Sequence, residues 1–131
     1  MAGPELLRAV IIDAAREFNA GRYFEAHEVL EEGLDAVPDE VWSLFIGLIQ
    51  IAVGYHKVTQ QRWSGARRML EIGLQKIEPF AAHAAGLNLV ALRQRVGADL
   101  ERLRCGDFDA GVFARTPPRL QPLSESAGEG A

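Results

Sequence analysis

The chain has 131 residues, 48% of them hydrophobic and 24% charged, with 18 acidic against 14 basic side chains and a formal net charge of -4. That length carries one buried core and not two, and the ordinary apolar fraction excludes a disordered chain. The signs of charge alternate along the sequence instead of forming basic blocks, which disfavours generic nucleic-acid binding, because phosphate contacts need a basic surface.

The opening stretch, MAGPELLRAVIIDAAREF, lacks a basic leading region, and Asp13 interrupts its apolar run, so no secretory signal is read there. Helix 1 is expected over residues 4–18, with Leu7, Val10, Ile11, Ala14 and Phe18 at helical spacing. Asn19-Ala20-Gly21 breaks it into a tight turn, and helix 2 follows over 22–36, ended by Pro38. Helix 3, over 39–59, is apolar nearly all round and therefore covered by neighbours on every face. Its longest apolar run, 41–55, contains Ser43 and Gln50 and falls short of the roughly 20 residues of a membrane span, so a buried central helix and no membrane are expected. Gly47 and Gly54 on it each cost about 1 kcal/mol relative to Ala, which predicts close backbone approach by a neighbour.

Helix 4 is expected from residue 63 or 64 to 77, with Trp63, Ala66, Leu70, Gly73, Leu74 and Ile77 on one stripe before Pro79. Helix 5, over 87–104, carries Leu89, Leu92, Val96, Leu100 and Leu103. No segment shows the alternating pattern of a strand. The two helical hairpins, 1/2 and 3/4, show no repeated signature, and the tetratricopeptide flavour of WSGARRMLEIGL is a one-repeat match only. The reading is an all-α fold: one bundle of about five helices over 1–108, followed over 109–131 by a flexible Pro/Gly/Ser-rich tail that ends TPPRLQPLSESAGEGA. The single Cys105 forms no internal disulfide, which points to a reducing, cytoplasmic setting.

The chemistry-bearing stretch is FNAGRYFEAHEVLEEG, residues 18–33. With Leu30 at the centre of the core-facing arc, His27 lies about 60° to one side, Glu31 about 100° and Glu28 about 160°, with Phe24 between the two glutamates. An aromatic at Phe24 predicts that another part of the protein covers this flank. His27 and Glu31 are spaced i,i+4 and project together, as two ligands of one metal ion do, and the adjacent Glu28 is the candidate general base. A zinc, manganese or iron ion would need a further ligand; His56 is the best candidate, with Asp13 or Glu17 as carboxylate donors. The same spacing is also met by a histidine hydrogen-bonded to its i+4 glutamate at a helix edge, with no function. Gln50, an amide inside an apolar helix, either bonds backbone or lines a substrate pocket. Arg67, beside the stripe of helix 4, is placed to pair with Glu28 or Glu31, or else keeps its head group in water.

FNAGRYFEAHEVLEE, then FIGLIQIAVGYHK, then WSGARRML resemble, in this order, the bacterial and archaeal domain-of-unknown-function 309 family over residues 11–77. The resemblance implies a helical protein, and members of that family are commonly labelled metal-dependent hydrolases on the strength of the His-Glu signature. It marks Phe18, Asn19, His27, Glu28, Leu30 and Glu31, then Gly47, Leu48, Ile49, Gln50 and Ala52, and finally His56, Gly65 and Ala66. Where the family usually has tryptophan after the glutamates, this chain has Leu34. Two functions stand at this point. One is a small metal-dependent hydrolase with His27, Glu31 and His56 as ligands and Gln50 and Arg67 near a small-molecule substrate. The other is a non-catalytic module that binds a protein partner or forms a homo-oligomer, with the cluster as a buried polar network.

Overall fold

A computed structural model describes residues 3–123 of the chain. Its helices are α1 (Gly3–Asn19), α2 (Tyr23–Glu32), α3 (Trp42–Thr59), α4 (Trp63–Ile77), α5 (Val90–Cys105) and α6 (Ala110–Arg115). The architecture is all-α, as the periodicities predict. Each long helix buries the stripe its sequence shows: Ile11, Ala14, Ala15 and Phe18 on α1, Tyr23, Ala26 and Leu30 on α2, and Ala66, Leu70, Gly73 and Ile77 on α4. The core residues of α3 lie on all its faces, from Leu44 to Val58. The stretch Asp39–Thr59 is, against the sequence reading, long and apolar enough to cross a membrane; 56% of its most apolar window is buried within the fold, which is how a core helix uses such a stretch.

The glycines of α3 do what their helix penalty predicts. A Cβ on Gly73 would stand 2.8 Å from the Gly47 carbonyl oxygen and 3.1 Å from the Ile51 backbone nitrogen. A Cβ on Gly54 would stand 2.9 Å from Leu70 Cγ. The backbones of α3 and α4 therefore touch, and this pair forms the tightest seam of the bundle.

The two hairpins do share a signature, in contrast to the sequence reading. Gly21 (φ 81°) and Gln61 (φ 59°) occupy the same left-handed position forty residues apart. The next residues, Arg22 (φ -93°, ψ 72°) and Arg62 (φ -95°, ψ 75°), both precede a helix, and each donates its N–H over 2.9 Å to the carbonyl five residues back. Tyr23 and Trp63 then open α2 and α4, and Ala26 and Ala66 are fully buried one turn in. The common element is Arg-aromatic-x-x-Ala, too short to register as a repeat and plain once the turns are superposed in backbone angles.

The end of α2 and the start of α5 differ from those expected. α2 stops at Glu32, because Gly33 caps it and Val10 of α1 fills the space a Cβ there would need, 2.6 Å from its Cγ1; a 3-10 turn, Leu34–Ala36, follows. α5 starts at Val90 and not at 87, because Ala85 (φ 52°) and Gly86 (φ 76°) close a two-residue hairpin between β1 (His83–Ala84) and β2 (Leu87–Asn88). Asn88 Oδ1 then accepts the Val90 N–H at 3.0 Å. A third strand, β3 (Gln121–Pro122), pairs antiparallel with β2 in the register Leu87↔Pro122 and Asn88↔Gln121. Two-residue strands are too short to show alternation.

The segment 109–123, read from composition as part of the tail, is built into the fold. Asp109 caps α6 by accepting the Val112 N–H at 3.0 Å. Asn19 at the end of α1 clamps Leu120 both ways: its Nδ2 donates to the Leu120 carbonyl at 2.8 Å and its Oδ1 accepts the Leu120 N–H at 2.7 Å. Arg8 Nη2 donates to the Leu123 carbonyl at 3.0 Å. Polar groups, not a run of core formers, pin this strap, although Leu120 itself is buried. Residues 124–131 of the expected tail lie outside the described residues.

Candidate functional site

The α2 cluster forms as a local unit. The Phe24 carbonyl lies 2.7 Å from His27 Nδ1, so that nitrogen carries the proton and donates, leaving Nε2 turned to Glu31 Oε1 at 3.5 Å. Phe24 does not report a covered flank: it is 45% exposed, and its ring is the surface against which the imidazoles pack, with centroids 4.8 Å from His27 and 5.2 Å from His56. The aromatic thus joins α2 to α3 from the outside. Glu28 and Glu31 are both exposed.

Of the expected ligands, His27 and Glu31 are the pair the structure brings together. Among the described residues, no group of three or more His, Cys, Asp or Glu side chains is arranged to hold an ion. The carboxylates of α1 are engaged elsewhere: Asp13 accepts from Arg16 at 3.1 Å, and Glu17 accepts from Arg22 at 2.6 Å, a hydrogen bond that holds the Glu17 carboxyl below its ordinary value. His56 reaches the cluster only through the Phe24 ring among the contacts of the described residues.

Gln50 and Arg67 do not join this cluster. Gln50 Oε1 is buried without a hydrogen-bond partner among the described residues, so the backbone bond expected for it is not made by the oxygen. Arg67 is exposed on the side of α4 that meets α5, where it lines an open depression with Ser64, Arg68, Glu71 and Arg104. Glu71 there accepts from Arg104 at 2.6 Å. Arg67 therefore pairs with neither Glu28 nor Glu31: α4 packs between α3 and α5, and this face turns away from α2.

The sequence reading missed a second polar site, on α5. Asp99 is the buried charged residue of the core, 6% exposed. Its Oδ2 accepts two hydrogen bonds, from Tyr55 Oη of α3 at 2.6 Å and from Arg95 Nε at 2.8 Å. Burial, first, and the adjacent Asp99 carboxylate push the Tyr55 hydroxyl well above its ordinary value; burial pushes Tyr23 up to about 12. Around them runs an aromatic chain in which Tyr55 stacks on Phe113 at 5.8 Å and meets Phe18 edge-on at 5.9 Å. Asp99 also lines a cavity of about 230 Å³ between α5 and α6, with Arg95, Arg102, Phe108, Val112 and Phe113. The findable signal was Tyr55: a tyrosine within a buried helix needs a partner for its hydroxyl.

A family model described as "Domain of unknown function (DUF309)" matches residues 11–69, the segment from mid-α1 to mid-α4. The "Uncharacterized protein YpuF" of Bacillus subtilis (strain 168) is 35% identical over 97 residues, which cover 69% of this chain and 56% of that protein. The chain thus spans little more than half the length of this relative.

Proposed function

Since the family model that matches residues 11–69, Domain of unknown function (DUF309), carries a description that names no activity, we propose from the site itself that the chain is a non-catalytic helical module that acts by binding or assembly. The observation that carries this reading is that the contacts of His27 stay within α2 and reach α3 through the Phe24 ring. His27 is satisfied by the Phe24 carbonyl and faces Glu31, and the Phe24 ring ties it to His56, so the cluster fixes α2 against α3. The matched turns of the two hairpins support the reading, because stacked helical hairpins present extended surfaces to partners. The partner is a small molecule or a protein, a second copy of the chain included. Alternating charge disfavours nucleic acid, and the lone, exposed Cys105 suits a reducing cytoplasm.

The test is metal content by plasma mass spectrometry, with melting temperature, on protein and His27→Ala purified without chelator. Both should be metal-free, and the variant should melt lower by about 4 °C, the equivalent of about 1 kcal/mol for one hydrogen bond in a chain of this size. Stoichiometric metal in the protein that is lost in the variant would overturn the reading.

One observation favours a metal-dependent hydrolase as second reading. Donation from Nδ1 to a carbonyl leaves Nε2 as the electron-pair donor, the tautomer that metal-ligating histidines adopt. That reading requires a third donor beyond His27 and Glu31; zinc, manganese or iron in the same measurement would support its metal site, and a hydrolase screen of the loaded protein would test the activity.

A further inference from the structure

Asp99 takes both of its hydrogen bonds at one oxygen. Tyr55 and Arg95 converge on Oδ2, and Oδ1 accepts none among the described residues. A carboxylate this buried is stabilised when each oxygen has a donor. Asp99 lines the α5/α6 cavity, so Oδ1 is the acceptor it has left to offer to water or to a ligand there.

The charges around the cavity define that occupant further. Arg95 and Arg102 stand against Asp99 and Asp109. Arg95 is committed to Asp99, and Asp109 is committed to the cap of α6. The groups left for a ligand are Asp99 Oδ1 and the Arg102 guanidinium, whose side chain makes no hydrogen bond among the described residues and feels Asp109 only through space. They lie three residues apart on one face of α5, one helical turn. A bare cation would meet two arginines, and a bare anion would meet Asp99. A molecule that carries both signs on adjacent atoms satisfies each. The remaining wall is apolar, made by Phe108, Val112 and Phe113, and about 230 Å³ is below the roughly 300–1,000 Å³ of sites for drug-sized ligands.

We infer that this cavity binds a small zwitterion of the α-amino-acid class, with its ammonium on Asp99, its carboxylate on Arg102 and an apolar side chain against Phe108, Val112 and Phe113. The site lies apart from the α2 cluster and stands whether that cluster proves structural or metal-binding.

The test uses the full chain with L-leucine, L-phenylalanine and L-methionine, followed by thermal shift and titration calorimetry. Isoamylamine and 4-methylpentanoate, the leucine skeleton without its carboxylate or its ammonium, are the controls. At least one amino acid should bind, and both controls should bind at least about tenfold more weakly, since each forfeits a charge-assisted hydrogen bond. Arg102→Gln should weaken the amino acid about tenfold and bind isoamylamine no more weakly than the parent does, since a repelling charge is removed. Ala98→Trp, an exposed position on the cavity wall, should abolish binding while the melting temperature of the free protein holds. The inference is overturned if no amino acid binds at about 10 mM, well above metabolite-range affinities. It is equally overturned if the amine or the acid alone binds as tightly, or if Arg102→Gln and Ala98→Trp both leave affinity unchanged.

Discussion

Tyr55→Phe removes one oxygen atom and keeps the ring, so it isolates what the hydroxyl contributes to the buried Asp99. Tyr55 is fully buried, and its ring contacts with Phe18, Tyr23 and Phe113 have centroids between 5.7 and 5.9 Å, none of which involves the hydroxyl oxygen. The substitution therefore leaves the aromatic packing in place and deletes a 2.6 Å hydrogen bond to a carboxylate. Hydrogen bonds to charged groups contribute about 1.5–3 kcal/mol, and Asp99 would retain Arg95 as its single donor. The expected loss is about 2 kcal/mol, or about 8 °C in melting temperature for a chain of this size. Circular dichroism melts and urea titrations measure it, with an unchanged denaturant slope showing that the same surface is buried. A loss below about 0.5 kcal/mol would refute the reasoning, since it would mean that water replaces the phenol at Asp99 without penalty. A double-mutant cycle with Arg95→Met should give a coupling of about 1 kcal/mol or more, because both donors share Oδ2.

Gly73→Ala tests the α3/α4 seam: helix propensity favours it by about 1 kcal/mol, yet its Cβ would meet the Gly47 carbonyl at 2.8 Å, and a backbone atom cannot rotate away. Net destabilisation of about 1–3 kcal/mol is expected in urea titration, whereas a stabilised variant would show that the helices do not touch. The chain's 2 tyrosines make alkaline titration specific. Both phenols have folded-state values raised above the ordinary 10, Tyr23 to about 12, so the stability they contribute is complete below pH 10 and is lost as pH rises through the folded-state values. Near-ultraviolet phenolate absorbance of the folded protein should thus show no step at pH 10, and ionisation should coincide with alkaline unfolding. A two-phenol step at pH 10 with helicity intact would refute this.

What the sequence disclosed and what it withheld divide by the range of the interaction. The helices are written locally: Ile11, Ala14, Ala15 and Phe18 are buried because the 3.6-residue period puts them on one side, and Gly47, Gly54 and Gly73 mark the seam because nothing else admits that approach. His27 and Glu31 meet for the same reason, four residues apart on one helix. Their meaning was not local. Whether they form a site depends on a third donor from another element, and Phe24, which spacing alone placed against a covering element, turned out to be the exposed ring that His27 and His56 share. The strap shows the limit more sharply: the Asn19 side-chain amide fixes the Leu120 backbone across 101 residues, through an N–H and a carbonyl that any non-proline residue carries and no side-chain pattern marks.

Asp99 is the instructive case, because half of its network was in plain view. Arg95 and Asp99 at i,i+4 are indistinguishable in sequence from a solvent-exposed helix pair, which contributes about 0.3–0.5 kcal/mol and rarely matters. Tyr55, 44 residues away, changes its character by delivering a hydroxyl to the same oxygen inside the core. The wheel gives the clue, since Val96 and Leu100 flank Asp99 on the buried stripe of α5. A carboxylate inside an apolar stripe and a tyrosine inside an apolar helix each lack a partner when read alone. Read together, they are each other's partner, and matching such unsatisfied polar residues between helices finds a buried site that no local motif describes.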